Sequence, residues 1–225
     1  MTHFLFKQAI FVLSFILIQS CGVVNEVNST DSTTPGEIYT SPRKLFTVRI
    51  PKSTNWAGIP YAIHEDTKKG RPDYDLVAFY VQDFGEILIA SVRHIPEDVL
   101  AKMAKEDSRL TLSKVAYKVL YDWRHDFAVE PTVESESYLQ TQYGESILRI
   151  YFAKKGSLLK KMIDSNRDKL ETIDTFIAVQ VVKKDNQIIY AIAENDYYCI
   201  EKYRTCAAYL ERTIKEFFAE LEVTL

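Results

Sequence analysis

Two runs rich in Val, Ile, Phe and Tyr, Leu76 to Phe84 and Ile87 to His94, are separated by only Gly85 and Glu86. A connection this short returns the chain as an antiparallel hairpin and cannot span the crossover that parallel strands require. Such a hairpin commits the chain to an antiparallel sheet, and the flanking sequence supplies its neighbours. Lys44 to Ile50 alternates apolar and polar residues and stops at Pro51, as a half-buried strand does, and Ile59 to Glu65 is a second candidate. Val133 to Gln142 and Ser146 to Ala153 flank Tyr143-Gly144. Ile173 to Val182 and Ile188 to Glu194 flank the turn residues Asp185-Asn186.

Helical periodicity occupies the remaining segments. Pro96 suits the start of a helix, and Glu97 and Asp98 suit the positive end of its dipole. Leu112, Val115, Val119, Trp123 and Phe127 recur at spacings of three and four, which predicts a second helical stretch with one apolar face. A closing helix carries Leu210, Ile214, Phe217 and Leu221 on one side. The pattern predicts about eight strands and three helices, an α+β class in which an antiparallel β-sheet is flanked by helices. A chain of 225 residues with 47% hydrophobic content is of ordinary size for one domain and can bury a core without a structural metal.

Three segments carry a family resemblance: Tyr39-Thr40-Ser41-Pro42 leading into Phe46 to Pro51, the central hairpin, and the ending from Ile173 to Leu221. Their order resembles the Mog1/PsbP-like fold, found in photosystem-associated, nuclear-transport and small exported bacterial proteins. The resemblance implies an antiparallel sheet flanked by helices and implies no activity, because one fold hosts unrelated functions.

The N-terminus reads as an address. Lys7 is the sole charge before Glu26, and the apolar run Ala9 to Ile18 follows it. That layout is a signal peptide's, and the run is shorter than the roughly 20 apolar residues of a membrane-spanning helix. Leu17-Ile18-Gln19-Ser20-Cys21-Gly22 resembles the lipobox of bacterial lipoproteins. The resemblance implies cleavage after residue 20 and acylation of Cys21, anchoring the chain to a membrane through its N-terminal lipid. Gly22 after the cysteine resembles the outer-membrane sorting pattern, facing the periplasm in a Gram-negative host. Residues 21–37, with one apolar side chain between Asn25 and Gly36, cannot bury enough surface to fold and read as a flexible tether. The domain is then expected over 38–225.

Cys199 and Cys206 form an even pair, and in an oxidising compartment a disulfide is the favoured reading, with a metal or redox pair as its rival. On one continuous helix seven residues span roughly 10 Å, beyond the roughly 4.4 to 6.8 Å between Cα atoms that a bridge allows. Cys199 must therefore precede the last helix.

Catalytic motifs are sparse. Gly144-Glu145-Ser146 begins like a nucleophile elbow and lacks the second glycine; Ser41-Pro42-Arg43-Lys44 and Ser157-Leu158-Leu159-Lys160 fit Ser-x-x-Lys without its companion motifs. Outside the signal the histidines are His64, His94 and His125. His64-Glu65-Asp66 is an acid-flanked imidazole at a strand end, and His125-Asp126 resembles the paired step of HD hydrolases without their further ligands. No metal or other cofactor is called for by any spacing. Tyr61, Tyr74, Phe79, Tyr80 and the segment Asn195-Asp196-Tyr197-Tyr198 are candidates to line a ligand groove. The 28 Lys and Arg against 31 Asp and Glu, with no long run of one sign, exclude a nucleic-acid footprint. The function these features favour is a non-enzymatic, lipid-anchored binding or accessory module of the cell envelope, whose partner is an envelope protein or small ligand. The alternative is an envelope hydrolase or metal-dependent enzyme using His64, His125 and nearby carboxylates.

Overall fold

The central hairpin is strand β4 (Tyr74–Val81) against strand β5 (Glu86–His94), in register from Tyr74 opposite Arg93 to Val81 opposite Glu86. The structure is a computed structural model that describes residues 34–52, 61–66, 74–81, 85–123, 127, 129–156 and 172–224. The signal segment, Cys21 and most of the tether lie outside the described residues, as do His125, Asp126 and Ser157 to Lys160. Contacts gather Asp31–Leu225 into one unit.

Strand β3 (Ala62–Asp66) pairs with the outer side of the hairpin, and β9 (Gln187–Asn195) with its inner side. Beyond β9 lie β8 (Thr172–Lys184), β7 (Gly144–Gly156) and β6 (Thr132–Thr141). The result is a seven-stranded sheet of order β3-β4-β5-β9-β8-β7-β6, antiparallel throughout. Every residue of β9 is buried, because helices cover both faces at the middle of the sheet, so this strand reads as a continuous apolar run rather than an alternation. The β8 to β9 turn is the expected Asp185-Asn186, with Asp185 at φ 51°, a left-handed conformation that Asp tolerates.

Side chains alternate across the sheet and sort into two cores. Helix α1 (Glu97–Met103) follows Pro96, and α2 (Ser108–Trp123) starts where the Asp107 carboxylate accepts the Leu110 N–H at 2.9 Å, a capping bond worth about 1 kcal/mol. The α2 helix packs Leu112, Ala116, Val119 and Leu120 against Ile89, Ile177, Val179, Tyr190 and Ile192. On the opposite face, α3 (Asp196–Glu201) and α4 (Tyr203–Ala219) follow β9. There Leu210, Ile214, Phe217 and Phe218 meet Val77, Phe79, Leu88, Ala178 and Ala191. A small antiparallel sheet, β1 (Ile38–Thr40), β2 (Phe46–Arg49) and β10 (Leu221–Val223), places Phe46 and Val48 in this second core. Tyr143, in the turn before Gly144, ties that sheet to the β6–β7 hairpin. Its hydroxyl donates to the Leu221 carbonyl at 2.7 Å and accepts the Val223 N–H at 3.0 Å.

The helical periodicities need three corrections. Leu221 keeps the spacing of the last helix but begins β10, because α4 ends at Ala219. Phe127 lies beyond the end of α2 at Trp123. The buried stripe of α2 includes Ala116 and Leu120, which the large-residue spacing passes over. With β1, β10 and the short α3, the described residues hold ten strands and four helices. Cys199 on α3 and Cys206 on α4 are joined as a disulfide with Cα atoms 5.0 Å apart. The helix breaks between them at Lys202, where φ is −124° and ψ 44°. Among the described residues no helix is long and apolar enough to cross a membrane.

Candidate functional site

On the α2 face the register of the first three strands brings polar side chains to one place. His64 and Asp66 of β3 stand opposite Ala78 and Leu76, and Tyr74 of β4 opposite Arg93 of β5, all on the face that α2 covers. The last turn of α2 adds Asp122 and Trp123, and β9 adds Tyr190. Together these side chains line a cleft of about 200 Å³.

Its polar groups are organised among themselves. Asp122 is shared by two cations, Lys118 at 2.7 Å one turn earlier on the helix and Arg93 at 3.5 Å on the sheet. The Trp123 indole N–H donates to the buried Glu194 carboxylate at 3.2 Å, fixing the ring across the sheet. Burial pushes the Tyr74 phenol far above its ordinary range, and the neighbouring Tyr190 adds to the shift. Burial raises the Tyr190 phenol as well, with hydrogen bonds to Ser91 and Tyr74 acting the other way. Both hydroxyls are therefore neutral hydrogen-bonding groups at physiological pH. An imidazole, two carboxylates, a guanidinium and two phenols surround the cleft, and no Ser, Thr or Cys is among its described lining. Such a set can hold a polar group by charge and hydrogen bonds.

Other candidate residues serve elsewhere in the fold. His94 sits at the end of β5 with its Nε2 3.4 Å from the Gln187 amide nitrogen, and does not join His64 in the cleft. Among the described residues no three His, Cys, Asp or Glu side chains are grouped to hold a metal ion. Ser41 accepts the Phe46 N–H at 3.2 Å in the turn before β2, and Ser146 is a buried strand residue whose hydroxyl donates to the Leu139 carbonyl at 3.2 Å. Tyr61 donates to the Glu86 carboxyl at 2.8 Å, and Phe79 packs edge-on against Tyr39, Tyr61 and Phe217. Asn195 caps α3 by accepting the Tyr198 N–H at 2.9 Å, Asp196 accepts from Thr175 at 3.1 Å, and Tyr198 stacks on Tyr209 with ring centres 4.2 Å apart. From the predicted aromatic groove, then, Tyr74 is the residue that lines this cleft.

Arg93, Asp122 and Tyr190 were not among the residues singled out by sequence. One signal was available: Arg93 is a charge on the same strand face as the apolar Ile87 and Ile89. Asp122 and Tyr190 carry no comparable signal, since a polar helix end and a strand tyrosine are both ordinary.

No protein-family model matches the chain, and no curated protein sequence does. Thirteen chains of solved structures match it. One is the solution structure of cyanobacterial PsbP (CyanoP) from Synechocystis sp. PCC 6803, with a TM-score of 0.51 and 13% identity, covering 91% of this chain and 98% of that one. At such identity the likeness is one of fold. The protein has an α+β, PsbP-like fold, an antiparallel sheet flanked by helices.

Proposed function

We propose that this protein is a lipid-anchored accessory or binding protein of the bacterial cell envelope, cleaved after residue 20, acylated on Cys21 and tethered through residues 21–37. Its domain, 38–225, engages an envelope protein or a small polar ligand, on the periplasmic side of the outer membrane in a Gram-negative host. The address is supported by the apolar run and the Leu17 to Gly22 segment. The binding reading is supported by the α2-face cleft, where Arg93, Asp66 and Asp122 offer charge and Tyr74 and Tyr190 offer neutral hydroxyls. A partner side chain or ligand carrying both an acceptor and a donor is matched to these groups.

Intact-mass measurement of the membrane-extracted protein, beside Cys21→Ala, tests the anchor: the expected species begins at a Cys21 bearing two or three acyl chains, and an unmodified N-terminus refutes it. A photocrosslinker at Lys118, exposed beside the cleft, tests binding, with a defined adduct expected that Arg93→Met weakens. An adduct indifferent to Arg93 counts against the cleft. The enzymatic alternative is favoured by one observation, that Trp123, two residues before His125, lines the same cleft as His64 and Asp66. Zinc retained by the purified protein and lost in both His64→Ala and His125→Ala would replace the binding reading with that one.

A further inference from the structure

A second cleft, of about 410 Å³, lies on the opposite face of the sheet, between the end of α4 and the edge strand β6. We propose that it binds a small neutral saccharide. The inference is independent of the α2-face cleft and of the lipid anchor.

Gln180 of β8 carries the argument. It lines the cleft, is 2% exposed, and has an amide oxygen with no hydrogen-bond partner among the described residues. The orientation of the amide follows from its neighbour. The Ser146 hydroxyl has one proton, and that proton goes to the Leu139 carbonyl at 3.2 Å. Toward Gln180, 3.2 Å away, Ser146 therefore presents lone pairs, which require the amide nitrogen to face it. The amide oxygen is left as a buried acceptor, and a buried acceptor of this kind calls for a donor.

The rest of the lining decides the donor's chemistry. Leu139, Ala219 and the nearly buried Phe218 supply the apolar part, and Gln140, Thr141, Gln142 and Lys215 are polar, Gln140 with an exposed neutral amide. The Thr141 hydroxyl is spent on its own turn, donating to the Gly144 carbonyl at 2.9 Å, and the Gln142 amide nitrogen donates to the Leu221 carbonyl at 3.0 Å. Lys215 is neutralised by Glu211 at 2.5 Å. An anionic ligand finds no unpaired cation in this lining and would set its own oxygens against the Gln180 oxygen. A purely apolar ligand would leave that oxygen unpaired. A saccharide meets both demands, with hydroxyl donors for Gln180 and C–H faces for Phe218 and Leu139, and the volume falls in the range of small-molecule sites.

The test is nuclear magnetic resonance on the full chain in lipid nanodiscs, titrated with glucose, N-acetylglucosamine, maltose and glucose 6-phosphate. The expected result is a saturable shift of the Gln180 side-chain amide with at least one neutral sugar. Followed by the backbone amides of Leu139 to Gln142, which line the cleft and persist in the variants, affinity should fall about tenfold in Gln180→Leu, the effect of losing one ordinary hydrogen bond. Ala219→Trp, an exposed position in the cleft lining, should block binding without touching the core, and serves if Gln180→Leu does not fold. No saturable shift with any neutral sugar, binding unchanged in Ala219→Trp, or tighter binding of glucose 6-phosphate than of glucose would overturn the proposal.

Discussion

The two faces of the seven-stranded sheet carry clefts of opposite character. On the α2 face the cleft is ringed by charge, with Arg93, Asp122 and Asp66 around two neutral phenols. On the α4 face the lining is amide, hydroxyl and apolar, and its lysine is paired. Within β5 one residue separates the two faces: Val92 enters the α4-face core, and its neighbour Arg93 enters the α2-face cleft. The clefts draw on different strands, β3, β4, β5 and β9 for one and β6 and β8 for the other, and the alternation of side chains decides which face each residue serves.

The largest effects should come from breaking each core in turn. Phe79→Ala removes a ring packed against three others on the α4 face and should cost about 3–5 kcal/mol, and Leu120→Ala on the α2 face about 2–5 kcal/mol. Urea denaturation of the double variant shows whether the faces are independent: the two losses should add to within about 0.5 kcal/mol, and a larger discrepancy would mean the sheet transmits packing changes between them.

Next in size is the disulfide, which belongs to the α4 face alone. The double variant Cys199→Ala, Cys206→Ala should lose about 2.5 kcal/mol, the cost of releasing so short a loop in the chain-entropy model. Reductant should bring the wild type to the same stability and leave the variant unmoved.

The faces should also differ in their response to pH. Burial raises the Glu86 carboxyl above its ordinary 4.5, opposed by the Tyr61 hydrogen bond. A raised folded value means the contribution is fully present below about pH 4.5 and is lost as pH climbs through the folded value, where the buried carboxyl must ionise. Glu86→Gln keeps an acceptor for Tyr61 and should flatten that decline, read as the thermal midpoint from about pH 4 to about pH 8. An unaltered slope would locate the pH dependence elsewhere. The smallest effect is expected on the α2 face, where Arg93→Met breaks a half-exposed ion pair with Asp122 and should change stability by less than about 1 kcal/mol, less still in high salt.

The strands were legible where the signal is local. The hairpins at Gly85-Glu86, Tyr143-Gly144 and Asp185-Asn186 are announced by turn residues between apolar runs, and all three pairs form. The β5 to β9 pairing was not legible. It joins segments separated, among the described residues, by two helices and three strands, and many apolar runs would satisfy the same pattern. Leu221 shows the limit of periodicity: its spacing suits a helix, yet the chain leaves the helix after Ala219 and pairs with β2. Of the candidate site, His64, Asp66 and Tyr74 were recognisable by type, whereas Arg93, Asp122 and Tyr190 join them only through strand register and the packing of α2.

The linear chain therefore determines the three local hairpins, the antiparallel class and the need for a helix break between Cys199 and Cys206, because turn chemistry, side-chain period and bond geometry act over a few residues. Tertiary packing decides the strand order, which face each polar residue serves, and that Gln180, at the wall of a cleft, is left with an unpaired buried oxygen. Those outcomes depend on which distant segments exclude water together, and that is a property of the assembled sheet and its two covering helices.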